Sequence, residues 1–124
     1  MAQQLIQPII VNELLGEVLK LKNAGYRMAA ISCTNKEGLE LTYSFDKDYE
    51  FLNLRLNISY EEEIESISSI YPFAFLYENE IKDLFGAHIN NITVDFKGNL
   101  YQTAVKTPFN PSKNVEAKNL KVQI

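Results

Sequence analysis

The sequence predicts an α+β domain, an antiparallel or mixed sheet of about four to five strands covered by two amphipathic helices. Three observations carry that reading. Two stretches alternate apolar and polar residues, and two others repeat apolar residues at spacings of three and four. A chain of 124 residues with 46% hydrophobic content is also sized for one compact core, so a single domain over 1–106 followed by an extended tail over 107–124 is expected.

Taken in order, Pro8 to Gly25 carries Ile10, Leu14, Val18 and Leu21 on one helical face, with Gly25 as the stop. Leu15 and Leu19 fall beside that stripe, where they either widen the core face or meet another chain. RMAAISC reads as a short apolar strand ending in the turn NKEG. LELTYSF and LNLRLNIS alternate strictly and are separated by DKD, so an antiparallel meander of three strands is expected. YEEEIESISSIYP is a polar, acidic connection, and after it PFAFLYENEIKDLFG forms the second helix, with Pro72 in its first turn and Gly86 just past its end. ITVDF, KGN and LYQTAV suggest a final hairpin.

The second helix holds the candidate site. At about 100° per residue, Phe73, Leu76, Tyr77, Ile81 and Leu84 share one face, and Glu80 falls inside it. Glu78 is expected outside, paired with Lys82 one turn on, and Phe75 projects from the polar side. A carboxylate on an apolar stripe is costly to bury unpaired, so Glu80 should meet a cation such as Arg27 or Arg55, or sit at a rim. Glu78 and Glu80 diverge around the axis too far to share a metal.

Composition excludes several classes. A formal charge of −4 and no concentrated Lys/Arg run speak against nucleic-acid binding. One cysteine, Cys33, and one histidine, His88, cannot build a disulfide framework, a zinc site or an iron–sulfur cluster. Cys33 reads as a small core residue on its strand and His88 as a surface or capping residue. The sequence shows no charged leader and no apolar run long enough for a membrane span, so a soluble protein is expected. Acid–base catalysis would need a cleft and companions that no motif supplies.

The run SISSIYPFAFLYENEIKDLFG resembles the signature of the thirty-kilodalton subunit family of respiratory complex I, in which a lead-in segment precedes a helix of the form E-R-E-x-x-D-x-x-G. Glu78, Glu80, Asp83 and Gly86 occupy the matching places, and Asn79 replaces the family's arginine. The strand pair LELTYSFDKDYEFLNLRLNI extends the resemblance upstream. Downstream the family's G-H-P-x-L-R-R segment is absent, and GAHINNITVDFKGNLYQTAVKTPF is more similar to the corresponding small subunit of energy-converting, membrane-bound nickel–iron hydrogenases, including the Ech type.

That resemblance implies a non-catalytic subunit without a cofactor of its own, packed on the nickel–iron large subunit beside iron–sulfur subunits, on the cytoplasmic side of the membrane. It implies a partner interface at Glu78, Glu80, Asp83, Gly86 and Phe75, with Glu80→Ala weakening assembly more than Glu78→Ala. The alternatives are the thirty-kilodalton-type component of NADH–quinone oxidoreductase or of formate hydrogenlyase, or an independent small ligand-binding domain. An isolated copy, its docking surface uncovered, can pair with itself.

Overall fold

The computed structural model describes residues 3–94, so the expected final hairpin beyond residue 94 and the tail over 107–124 lie outside the described residues. The chain runs β1 (Gln3–Ile9), a short 3₁₀ turn (Val11–Glu13), α1 (Leu14–Asn23), β2 (Arg27–Asn35), β3 (Leu39–Lys47) and β4 (Glu50–Ile58). It continues through β5 (Glu63–Glu65), α2 (Ala74–Phe85) and β6 (His88–Asn90). The main sheet is mixed, in the order β1-β4-β3-β2, and β5 and β6 form a separate parallel pair.

The predicted meander is present. β3 pairs antiparallel with both β2 and β4, and the register sets Leu41 opposite Leu56 and Tyr43 opposite Leu54 on one face. Leu39, Leu41, Tyr43 and Phe45 are all buried there. The intervening residues turn to the other face, where Ser44 donates to Asn53 at 2.7 Å and Arg27 holds Asp46 through two nitrogens at 2.9 and 3.0 Å. The β3–β4 turn is tighter than DKD suggested: β3 continues through Lys47, and Asp48 and Tyr49 alone, with φ of 50° and 70°, make the two-residue reversal typical of a twisted hairpin.

The first helix begins later than its pattern predicted. Residues through Ile9 form β1, parallel to β4, and Pro8 sits in this edge strand, where a missing N–H breaks no ladder. Periodicity did not reveal it because Leu5 and Ile6 are both exposed and burial begins only at Ile9, so the apolar residues do not alternate with polar ones. α1 buries Leu14, Val18 and Leu21 as expected, while Leu15 and Leu19 stay at the surface. It ends where Gly25 predicted: the Gly25 N–H bonds Lys22 O and the Tyr26 N–H bonds Leu21 O, which closes the last turn around a glycine at φ 91°.

Both helices lie on the Leu41/Tyr43 face. Tyr71, just before α2, packs its ring 5.5 Å from that of Phe45, and Lys22 of α1 stands 4.9 Å above the same ring. From α2, the Tyr77 hydroxyl donates to Ala29 O at 3.2 Å, tying the helix to β2.

Candidate functional site

The α2 helix buries a different face from the one its apolar pattern indicated. Ala74, Glu78 and Ile81 point into the core, with Asn79 and Asp83 buried on a second side, whereas Phe73 is 75% and Leu76 49% exposed. The predicted face is turned by roughly a quarter turn. The cause lies in the lead-in segment. Ser66, Ile67 and Ser68 are buried beside the helix, so their backbone and hydroxyl groups need partners that water does not provide.

Glu78 supplies them. Its Oε1 accepts the Ser66 hydroxyl at 2.5 Å and its Oε2 accepts the Ile67 N–H at 2.8 Å. Ser66 Oγ lies 2.7 Å from Ser68 Oγ and also accepts the Ser68 N–H, while Ser68 Oγ accepts the Thr93 N–H at 2.9 Å. Asn79 donates to Phe75 O and to Val94 O, at 2.8 and 2.6 Å. The helix therefore grips the chain on both sides of itself, through Glu78 before it and Asn79 after it. This corrects the expectation that Glu78 faces outward to pair with Lys82.

With Glu78 ionised, Ser66 donates to it and Ser68 donates to Ser66, so every hydroxyl in the row is used. A protonated Glu78 can donate to Ser66 and reverse the row. Burial pushes Glu78 up to about 7, against the opposite pull of the Ser66 and Ile67 bonds. Beneath it the Tyr43 hydroxyl is buried without a hydrogen-bond partner among the described residues. Its ionisation is pushed up by burial first, then by the charges of Glu78 and Cys33.

The other expected site residues separate into two groups. Asp83 and Gly86 are buried, and Gly86 closes the helix at φ 71° with its N–H on Lys82 O. Phe75 is half-buried and packs against the core, so it does not project from an open side. Only Glu80, half-buried, lies on the side shared with exposed Phe73 and Leu76. The cations expected for it have other partners: Arg27 holds Asp46, and Arg55 Nε lies 3.3 Å from Thr42 Oγ1 and 3.9 Å from Glu40.

Cys33 is half-buried against the core, and burial pushes its thiol up to about 12, so it is a poor nucleophile at neutral pH. His88 opens β6 with Nε2 3.8 Å from Glu61. Among the described residues no group of three or more His, Cys, Asp or Glu is placed to hold a metal ion. None of their helices is long and apolar enough to cross a membrane. Sequence reasoning missed Ser66 and Ser68 as site residues; the signal was a Ser-rich run immediately ahead of a helix carrying a carboxylate.

A mixed four-stranded sheet with two helices on one face, the second latched by a buried glutamate, defines a compact α+β scaffold. The chain belongs to the family of the 30 kDa subunit of respiratory-chain NADH dehydrogenase, whose model matches residues 8–110. Among solved structures, a chain from the membrane-bound sulfane sulfur reductase, an archaeal respiratory membrane complex, shares the fold with a TM-score of 0.73. The two are 16% identical, and the alignment covers 100% of this chain and 81% of that one. A sequence comparison with curated proteins finds no match.

Proposed function

We propose that the chain is a non-catalytic subunit of a membrane-bound energy-converting nickel–iron hydrogenase, docked on the large catalytic subunit. Family membership over residues 8–110 supports a place in a respiratory-type complex, and the fold shared with a chain of an archaeal respiratory membrane complex agrees with it. The observation that carries the docking role is the outer face of α2. Phe73 and Leu76 are exposed there beside Glu80, although the same helix buries Glu78, Asn79 and Asp83. Leaving two large apolar side chains in water while burying three polar ones is costly for a free domain and sensible for one that a partner covers.

In this reading the nickel–iron centre and the iron–sulfur clusters belong to partner subunits. The chain reaches the cytoplasmic face of the membrane through its complex. Glu78 acts inside the subunit, holding the lead-in segment, and Glu80 is the signature carboxylate on the face that the partner covers.

The test is affinity recovery of the tagged chain from its own organism's detergent-solubilised membranes, with mass spectrometry of what accompanies it. A nickel–iron large subunit with iron–sulfur and membrane subunits is the expected result, and Phe73→Asp with Leu76→Asp should lower that recovery about tenfold or more. Recovery of NADH–quinone oxidoreductase or formate hydrogenlyase subunits instead would replace the hydrogenase assignment. A bare monomer or homo-oligomer, from cells expressing such a complex, would overturn the docking role.

A further inference from the structure

Where the 3₁₀ turn and the start of α1 approach the β5–β6 pair, the surface opens into a groove of about 350 Å³. Val11 and Leu15 give it an apolar side with the buried Ile64 behind them, and Glu63 and Glu65 line it beside Asn12 and Asn90. The two glutamates are the ionisable residues among its lining, so the groove carries a net negative charge. Each is bonded to a neutral amide: Asn90 Nδ2 donates to Glu63 at 2.7 Å, and Asn91 Nδ2 to Glu65 at 2.9 Å. Those bonds fix the carboxylates in place without neutralising them. Glu61 and Glu62, immediately upstream, add to the negative field.

The apolar side continues outward. Leu15 is 39% exposed, and Leu19, one turn further along α1, is 48% exposed. An anionic occupant is disfavoured by like charge, and a lone metal ion leaves the apolar side unused. The complementary occupant is an amphipathic segment with Lys or Arg over Glu63 and Glu65 and apolar side chains along Leu15 and Leu19.

We propose that this groove receives a basic amphipathic segment of a partner subunit. The inference rests on the assembly role proposed above and adds a second contact surface, separate from the outer face of α2. Its specificity comes from charge and its stability from the Leu15–Leu19 stripe.

The experiment compares wild type with the Glu63→Lys, Glu65→Lys double variant in the same membrane recovery, with thermal melting of each purified chain. The expected result is a drop in partner recovery of about tenfold or more, and wild-type recovery that weakens with salt. Treating the wild-type assembly with a carbodiimide should also join Glu63 or Glu65 to a partner lysine. If the reversal does not fold, the Glu63→Gln, Glu65→Gln pair, read the same way, decides the matter. Partners recovered equally by wild type and folded variant would overturn the groove and leave the assembly role standing. Partners missing from wild type would sink that role and this inference with it. A cross-link from the groove to a second copy of this chain would also overturn it.

Discussion

Helices α1 and α2 cover the same sheet face by different means. α1 buries Leu14, Val18 and Leu21 and no polar side chain, whereas α2 sets Glu78, Asn79 and Asp83 among its buried residues beside Ala74 and Ile81. The first is held by transfer of apolar surface from water, which needs no particular partner. The second is held by groups that must be matched one to one, because a buried carboxylate or amide without its bond costs more than its burial returns. One helix is therefore seated chiefly by apolar burial, and the other also by hydrogen bonds to the chain segments on either side of it.

The largest expected effect breaks the second kind of anchor. Glu78→Ala removes the hydrogen-bond partner of the Ser66 hydroxyl and the acceptor of the Ile67 N–H and leaves a cavity, a loss of about 4 kcal/mol near pH 5. The pH dependence follows from the raised carboxyl. The folded protein holds this proton up to about 7, above the ordinary 4.5, so the group's contribution to stability is greatest in acid, declines as pH rises through that window and is level above it. Between about pH 5 and pH 8 the decline amounts to roughly 2 kcal/mol. The alanine variant should thus cost less near pH 8 than near pH 5, and Glu78→Gln should lack this part of the slope. Denaturant unfolding at the two pH values measures all three, and parallel curves for wild type and Glu78→Gln would refute the buried-proton account.

A somewhat smaller and differently shaped effect is expected in α1. Leu14→Ala should cost about 3 kcal/mol, the usual loss for a fully buried leucine. That cost should not change between about pH 5 and pH 8, since no ionisable group defines the site. A pH-dependent cost there would mean the two anchors are coupled through the core, and the comparison between them would lose its basis.

The same difference explains what the sequence could and could not disclose. Apolar burial writes a period into the chain, so α1's core face, its Gly25 stop and the alternation of β3 and β4 were all legible. Polar burial writes none. Glu78 looks like a surface residue until Ser66 and Ile67 are placed beside it, and that placement depends on contacts across 11 and 12 positions in sequence. Phe73 and Leu76 look like core for the converse reason. β1 was illegible because its Leu5 and Ile6 are both exposed and only Ile9 enters the core, and the β5–β6 pair because EIE and HIN are three residues each. The family signature singled out Glu78 as part of a partner interface, whereas the structure turns its carboxylate inward onto Ser66 and Ile67.

The smallest effect tests whether matching, rather than polarity itself, is what holds α2. Tyr43 lies under the same helix as fully buried as Glu78, yet its hydroxyl has no hydrogen-bond partner among the described residues. Tyr43→Phe deletes a polar group that makes no bond and keeps the ring, so stability should be unchanged or rise by up to about 1 kcal/mol. A loss larger than that, in the same unfolding measurement, would mean the hydroxyl is bonded in solution through an internal water, which a polar site of this kind can hold. The seam under α2 would then extend from Ser66 to β3, and its proton would be shared more widely than by the glutamate and two serines.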